Sequence, residues 1–376
     1  MTNNRGALGT FVSAHPQYST PQILILFVTS VCNLKCEHCF YWKNLNQRTD
    51  LSFDEIVDLS EGLGPFSALL ISGGEPFLRK ELVDILHLFA SNNQVKLFSI
   101  PTGATLPDLV IHKTRMLLST LQQNGVRRVN INLSIDGLRE FHDRQRGVVG
   151  SFDRAFQTYQ GLAALKSEFP ILHLNVTPTL SAANVDQVIG LAHFIKDNMP
   201  LIDDVHIGLL RGSPRSQQLH APHPDTARKI YADVKELFPS KTLSPYDQRI
   251  VDAVFEAKIR TLEEEKQVVP CQAGHLIGVI DADGAVRLCE LREAIGNIRE
   301  QSFLGIWNSP QAQQVRASIQ RGECHCTHEC FIDPSYRHAL QNNLALKVRD
   351  IGVPMLLRLE AWKLKHKLKQ ALSLDN

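Results

Sequence analysis

No apolar run in the 376-residue sequence approaches the ~20 residues a helix needs to cross a bilayer, so no transmembrane segment is expected. Net charge is almost absent. Forty Lys and Arg stand against 39 Asp and Glu, leaving +1 at pH 7, and bulk electrostatics give no reason to expect nucleic acid or an acidic partner. The first residues, Met1 to Gln22, are polar and carry no basic stretch followed by an apolar core, which argues against an export signal. They read as a flexible N-terminal segment. Eight cysteines without such a signal point away from a disulfide framework and toward metal ligation in a reducing, cytoplasmic setting. The length exceeds one ordinary domain and suits a barrel of about 200 to 250 residues with an appendage.

What the sequence does have is a concentration of cysteine at Cys32, Cys36 and Cys39, with three and then two residues between them. They follow the apolar run Ile23 to Val28, which reads as a buried strand, so the thiols sit on the loop at its C-terminal end. Three thiolates on one short loop and no fourth would leave one iron of a cubane cluster open to a non-protein ligand. A zinc knuckle completed by a distant His or Cys is the alternative. A disulfide is the weaker reading, since three close cysteines cannot pair among themselves. Ser52 and Glu55 then form a capping box for a helix with Ile56, Leu59 and Leu63 on one face. A second strand, Ala68 to Ser72, ends in Gly73-Gly74-Glu75-Pro76, where two glycines permit a tight turn that offers backbone amides and carbonyls to a ligand.

The alternation of strand and helix continues. Helices over 79–90, 107–123, 151–166 and 184–196 separate strands at 95–100, 128–134, 171–177 and 205–210. Single-helix crossovers between successive strands imply a parallel sheet with right-handed connections. Six such units predict an α/β fold, a partial (β/α)6 TIM-like barrel over residues 23–240. Thr102, Ser134, Asp136 and Arg211 all fall at strand C-terminal ends, the face where such barrels place their chemistry. Alternation does not decide whether Asn175 and Thr177 face the same pocket. For Asp136 an Asx turn with Gly137 is expected. Residues 241–270 read as a helical connection.

The other five cysteines are Cys271, Cys289, Cys324, Cys326 and Cys330. Two short strands, 276–280 and 285–288, flank a Gly284 turn and would bring Cys271 and Cys289 together. A helix near 310–321 precedes the second group. Residues 271–333 therefore read as a small α+β cluster-binding domain, with zinc held by Cys, or by Cys with His325 and His328, as the alternative. A helical tail fills 334–376. Its apolar face (Leu357, Ala361, Leu364, Leu368, Ala371) and basic face (Arg358, Lys365, Lys369) suit packing on the protein, or peripheral contact with an anionic membrane.

Taken together, the C-x3-C-x2-C loop with His38 before its third Cys and the Gly-Gly-Glu-Pro turn resemble the radical S-adenosylmethionine (AdoMet) enzymes. The segment Leu133-Ser134-Ile135-Asp136-Gly137, with His142, Arg146 and Gly150-Ser151-Phe152 after it, is similar to members with a SPASM-type extension. Cys271-x12-Gly284-x4-Cys289, followed by Gly296-Asn297-Ile298, resembles SPASM and shortened twitch domains. The resemblance implies a [4Fe-4S] cluster on Cys32, Cys36 and Cys39 whose open iron binds AdoMet. It further implies an AdoMet site drawing on Gly73, Gly74, Glu75, Pro76, Thr102, Ser134 and Arg146. In the family the turn backbone receives the amino group, Ser134 would serve ribose or carboxylate, and Arg146 the carboxylate.

The five later cysteines suffice for one auxiliary [4Fe-4S] cluster. The C-x-C-x3-C spacing departs from the family pattern and leaves open which four ligate. The implied activity is reductive cleavage of AdoMet to a 5'-deoxyadenosyl radical that takes hydrogen from a substrate, an oxidoreductase-type reaction fed by a reductant such as flavodoxin or ferredoxin. Only 22 residues precede the first strand, so a leader-binding domain is not expected. That tilts the substrate toward a small or carbohydrate-like molecule, with ribosomal-peptide maturation the alternative. The rival of another class is a non-catalytic zinc-binding module.

Overall fold

Residues Ile23–Thr29, Ile-Leu-Ile-Leu-Phe-Val-Thr, are buried along their whole length, as a strand covered on both faces must be. In the computed structural model, which describes residues 20–239 and 243–357, this strand (β1) is central to a nine-stranded sheet. The elements that follow are α1 (Phe53–Glu61), β2 (Ala68–Gly73), α2 (Leu82–Asn92), β3 (Leu97–Thr102), α3 (Pro107–Gln123) and β4 (Arg128–Leu133). Next come α4 (Arg139–Arg146), α5 (Ser151–Leu165), β5 (Leu172–Val176), β6 (Thr179–Leu180), α6 (Val185–Asn198), β7 (Asp204–Val205) and β8 (Gly208–Leu209). After α7 (Pro224–Leu237) and α8 (Pro245–Glu264), the C-terminal part holds β9 (Ile277–Ile280), β10 (Ala285–Arg287) and β11 (Gly296–Asn297). The last helices are α9 (Phe303–Trp307), α10 (Pro310–Gln320), α11 (Glu329–Asn342) and α12 (Leu344–Ile351).

Strands β1 to β5 and β7 pair in parallel, in chain order, and the sheet does not close, giving the partial TIM-like barrel expected. Three features differ from the sequence reading. The strand expected at 205–210 is split. Val205 continues the ladder with β5, whereas Gly208 and Leu209 pair with Thr179 and Leu180 in a separate two-stranded sheet. Pro178 has no N–H to donate, so the ladder of β5 with β7 stops before it, and the separate pairing begins at Thr179. The C-terminal hairpin is also not a detached unit, because β9 pairs in parallel with β1 and extends the barrel sheet. Finally, Pro334 lies inside α11 and does not start the tail. Its missing donor is tolerated where Ser335 ties the helix instead, donating to Phe331 O at 2.6 Å and accepting from Gln272 N at 2.9 Å.

At the other boundary, Thr20 and Gln22 are buried, and the Gln22 carbonyl accepts from Ser67 and Ala68 at 3.0 and 3.2 Å, so the ordered barrel begins before Ile23. Helix α12 packs with α8 and α11 through Ile351, Ile250 and Tyr336. The basic face with Arg358, Lys365 and Lys369 and the apolar positions from Ala361 onward lie outside the described residues. Among the described residues no helix is long and apolar enough to cross a membrane.

The α1 to α2 packing rests on one buried amide. Asn93 Nδ2 donates to the carbonyls of Ser60 and Leu63 at 2.9 and 2.8 Å, while its Oδ1 accepts from Ser60 Oγ at 2.7 Å. Asn93→Ala strands these groups in the core. Each orphaned buried acceptor costs about 1–3 kcal/mol, so a loss of about 2–3 kcal/mol in the urea unfolding free energy is expected, and Glu61→Ala, exposed at the end of α1, serves as the control.

Candidate active site

The loop after β1 is fixed from three sides. From below, Asp50 accepts from Thr29 Oγ1 at 2.6 Å and from Ser30 N at 2.9 Å, and Asn46 Oδ1 accepts from Cys32 N at 3.1 Å. From β2, the glycine turn docks by Gly74 N to Thr29 O and Glu75 N to Val31 O, both 2.8 Å. Here glycine is required. Gly73 has φ +115°, and a Cβ on Gly74 would lie 2.1 Å from the Val31 carbonyl oxygen. From the third side the C-terminus of α4 receives Lys35 N at Arg146 O (3.1 Å) and Glu37 N at Gln145 O (3.0 Å). These are carbonyls that a helix end leaves without internal partners.

Cys32, Cys36, Cys39, Gly73, Gly74, Glu75, Thr102, Ser134 and Arg146, read from sequence as site residues, line one cavity of about 220 Å3. The sheet order explains the convergence of all but Arg146, since they lie at or just beyond the C-terminal ends of adjacent parallel strands, while Arg146 arrives from the end of α4. Pro76 is buried in the short helical turn behind Glu75. Glu75 is almost fully buried and its carboxylate is taken up internally. Oε2 accepts from Gly103 N at 2.8 Å, and Oε1 accepts from Thr102 Oγ1 at 3.0 Å and Phe77 N at 3.2 Å. Thr102 also accepts from Ala104 N at 2.9 Å. Glu75 and Thr102 thus brace the turn to strand three, and the backbone of the turn and the Ser134 side chain face the cavity. Burial raises the Glu75 carboxyl, against the lowering pull of these donors.

Asp136 differs from its expected role. It makes no Asx turn; it is fully buried, its Oδ2 lies 2.8 Å from Arg146 Nη2, and its Oδ1 accepts from Thr179 N at 3.0 Å. Burial is the largest single influence and would raise its carboxyl, but Arg146, His38, His142 and the Thr179 N–H together outweigh it and hold the carboxyl low. Asn184, at the start of α6, makes no side-chain cap and donates to the Asp136 and Thr179 carbonyls at 3.1 and 2.9 Å. Asn175 donates to Asn132 Oδ1 at 3.0 Å, away from the cavity lining.

The loop carries chemistry suited to a metal centre. Burial pushes the Cys32 thiol up to about 12 and raises that of Cys39. Thiolates there need a cationic centre against them, and binding one expels the protons. Burial lowers His38 to about 4, so its imidazole is neutral, with Nδ1 2.8 Å from Gln145 Nε2.

A second cavity, about 330 Å3, is ringed by Cys271, Cys289, Cys324 and Cys326. Cys330 does not line it. Burial raises all of these thiols for which a shift is resolved, Cys326 to about 11 and Cys330 to about 12. Four sulfur donors around such a void fit an iron-sulfur cluster, and among the described residues no three His, Cys, Asp or Glu side chains are arranged to hold a single metal ion. Neither His325 nor His328 completes such a set, although His325 borders the cavity.

A charged cluster beside the first cavity includes one residue, Glu290, that sequence reasoning missed. Arg211, which lines the first cavity, stacks over Phe40 at 4.4 Å and reaches Glu290 Oε2 at 3.4 Å. Glu290 also lies 3.0 Å from His328 Nδ1. Burial and Arg211 push the His328 imidazole down, against the raising pull of Glu290. Glu290 flanks Cys289, which was the only signal available for it.

Residues 26–195 match the radical SAM superfamily, and residues 269–331 match the iron-sulfur cluster-binding SPASM domain. Among curated proteins the chain is similar to Fe-coproporphyrin III synthase of Methanosarcina barkeri, 27% identical over 309 residues, covering 76% of this chain and 73% of that one. It is also similar to the antilisterial bacteriocin subtilosin biosynthesis protein AlbA of Bacillus subtilis, 24% identical, covering 90% and 73%. Among solved structures, Streptococcus suis SuiB shares the fold with a TM-score of 0.55 at 17% identity, covering 80% of this chain and 68% of that one.

Gly74→Ala sets a methyl group against the Val31 carbonyl and must part the turn from the cysteine loop. Thermal denaturation of the metal-free protein is expected to show a loss of about 2 kcal/mol or more, while Ser134→Ala on the same cavity stays within about 0.5 kcal/mol of the parent.

Proposed function

Since the chain belongs to the radical SAM superfamily and carries a SPASM-type iron-sulfur domain, we propose that it cleaves AdoMet reductively at the Cys32, Cys36 and Cys39 centre and oxidises or tailors a small molecule with the help of one auxiliary cluster. The observation that carries this reading is the single cavity shared by the three thiols, the Gly73–Gly74 turn and the exits of strands three and four. When bound, the cluster and AdoMet supply methionine and a 5'-deoxyadenosyl radical that takes hydrogen from the substrate. The protein's own part is orientation and exclusion of water. The turn backbone would receive the AdoMet amino group, Ser134 would serve the ribose or carboxylate, and Arg146, next to Cys36, the carboxylate. Glu75 and Thr102 hold the turn to strand three from the same cavity wall.

The auxiliary cluster is assigned to Cys271, Cys289, Cys324 and Cys326, with Cys330 left out, because those four ring the second cavity. Arg211 gives the first cavity a charged wall, tied to Glu290 beside Cys289, against which a substrate would lie. The reductant is a small electron carrier such as flavodoxin or ferredoxin, and the setting is cytoplasmic. A peptide substrate is the second reading, favoured by the similarity to AlbA, which spans 90% of the chain.

Anaerobic reconstitution of the full chain is expected to give about eight irons, by the arithmetic of two four-iron cubanes, and a brown protein; a zinc module would be colourless. With dithionite and AdoMet it releases 5'-deoxyadenosine, and Cys36→Ala abolishes that release. Cys326→Ala is expected to lower the iron content to about four per chain while Cys330→Ala keeps about eight. Equal iron loss in the two variants would overturn the ligand assignment.

A further inference from the structure

The end of α4 does more to the cysteine loop than hold its backbone. Arg146 Nη1 lies 3.5 Å from Cys36 Sγ and donates to it, and the same guanidinium meets Asp136 through Nη2 at 2.8 Å. Both side chains are shut away from solvent, at 8% and 0% exposure, so water screens neither charge. Asp136 is itself immobilised, by Thr179 N on Oδ1 and by Asn184 on its carbonyl, and its own N–H faces His142 Nδ1 at 3.2 Å. Gly147, at φ +69°, ends α4 so tightly against Lys35 that a Cβ there would meet the Lys35 carbonyl at 3.1 Å. The guanidinium is thereby fixed relative to the sulfur from both the helix and the loop.

We infer that the buried Asp136–Arg146 pair sets the reduction potential of the centre held by Cys32, Cys36 and Cys39, with Arg146 raising it and Asp136 lowering it. The inference rests on the reading of that loop as a cluster site. A donor and positive charge at a cluster sulfur favour the electron-rich reduced state, and hydrogen bonds to sulfur and local charge are among the terms that fix such potentials. Asp136 acts through Arg146. It neutralises most of the guanidinium's field and fixes the direction of its Nη1. The pair is a positioning device, distinct from whatever Arg146 contributes to holding AdoMet.

The test is an electron paramagnetic resonance redox titration of the reconstituted full-length protein before AdoMet is added. The N-terminal cluster is then identified as the one whose signal changes when AdoMet is supplied. Arg146→Gln is expected to lower the reduced-to-oxidised ratio at a fixed applied potential about ten-fold, a shift of about −59 mV for one electron. Asp136→Asn is expected to move it the opposite way, and Arg146→Lys, which keeps the charge but not the two-point geometry, to fall between Arg146→Gln and the parent. Iron content and melting temperature are read for each variant, and Asp136→Asn carries the test if Arg146→Gln does not fold. Potentials unchanged in folded, iron-loaded variants, or shifts of the same sign in both, overturn the inference. Failure of the parent protein to take up iron overturns instead the reading of the loop.

Discussion

The docking of one loop onto two neighbours governs the arrangement of this protein. Residues 30–39 leave the central strand with backbone groups that no helix or sheet satisfies. Those groups are met by the Gly73–Gly74 turn on one side and by the frayed carbonyls at the end of α4 on the other. The turn can approach only because Gly74 lacks a side chain. The rest follows from parallel sheet order, which puts the exits of β2, β3 and β4 beside the same loop.

The C-terminal part is joined to this frame through the sheet. Strand β9 lies parallel to β1, with Ile23 opposite Ile277, so the hairpin carrying the second cysteine group is held in register with the strand that delivers the first. Side chains continue the link. Phe40 next to Cys39 stacks on Arg211, and Arg211 reaches Glu290 next to Cys289. The two cysteine centres are thus held at a fixed separation by continuous backbone and by one charged contact.

Much of this was legible in the sequence because it depends on local rules. The bounds of α3 follow from Pro107 and its apolar periodicity, the capping box of α1 from Ser52 and Glu55, and the convergence of site residues from parallel connectivity alone. What was not legible depends on partners distant in the chain. The pairing of β9 with β1 joins segments about 250 residues apart, and nothing in a four-residue apolar run tells which edge it will meet. Asp136 next to Gly137 has the local form of a turn, and only the return of Arg146 on α4 converts it into half of an ion pair. Pro334 has the form of a stop, overridden by Ser335 and the packing of α11 on α8. Cys330 could not be separated from Cys324 and Cys326 by spacing; only the lining of the second cavity, which it does not join, sets it apart.

The central claim is that the three N-terminal thiols hold an iron cluster with a vacant corner that takes AdoMet directly. Electron–nuclear double resonance on the reduced protein, with AdoMet labelled by 15N in its amino group, tests it. The account predicts a 15N coupling that shows the amino nitrogen bonded to iron. A protein that binds the labelled AdoMet and shows no such coupling would contradict it.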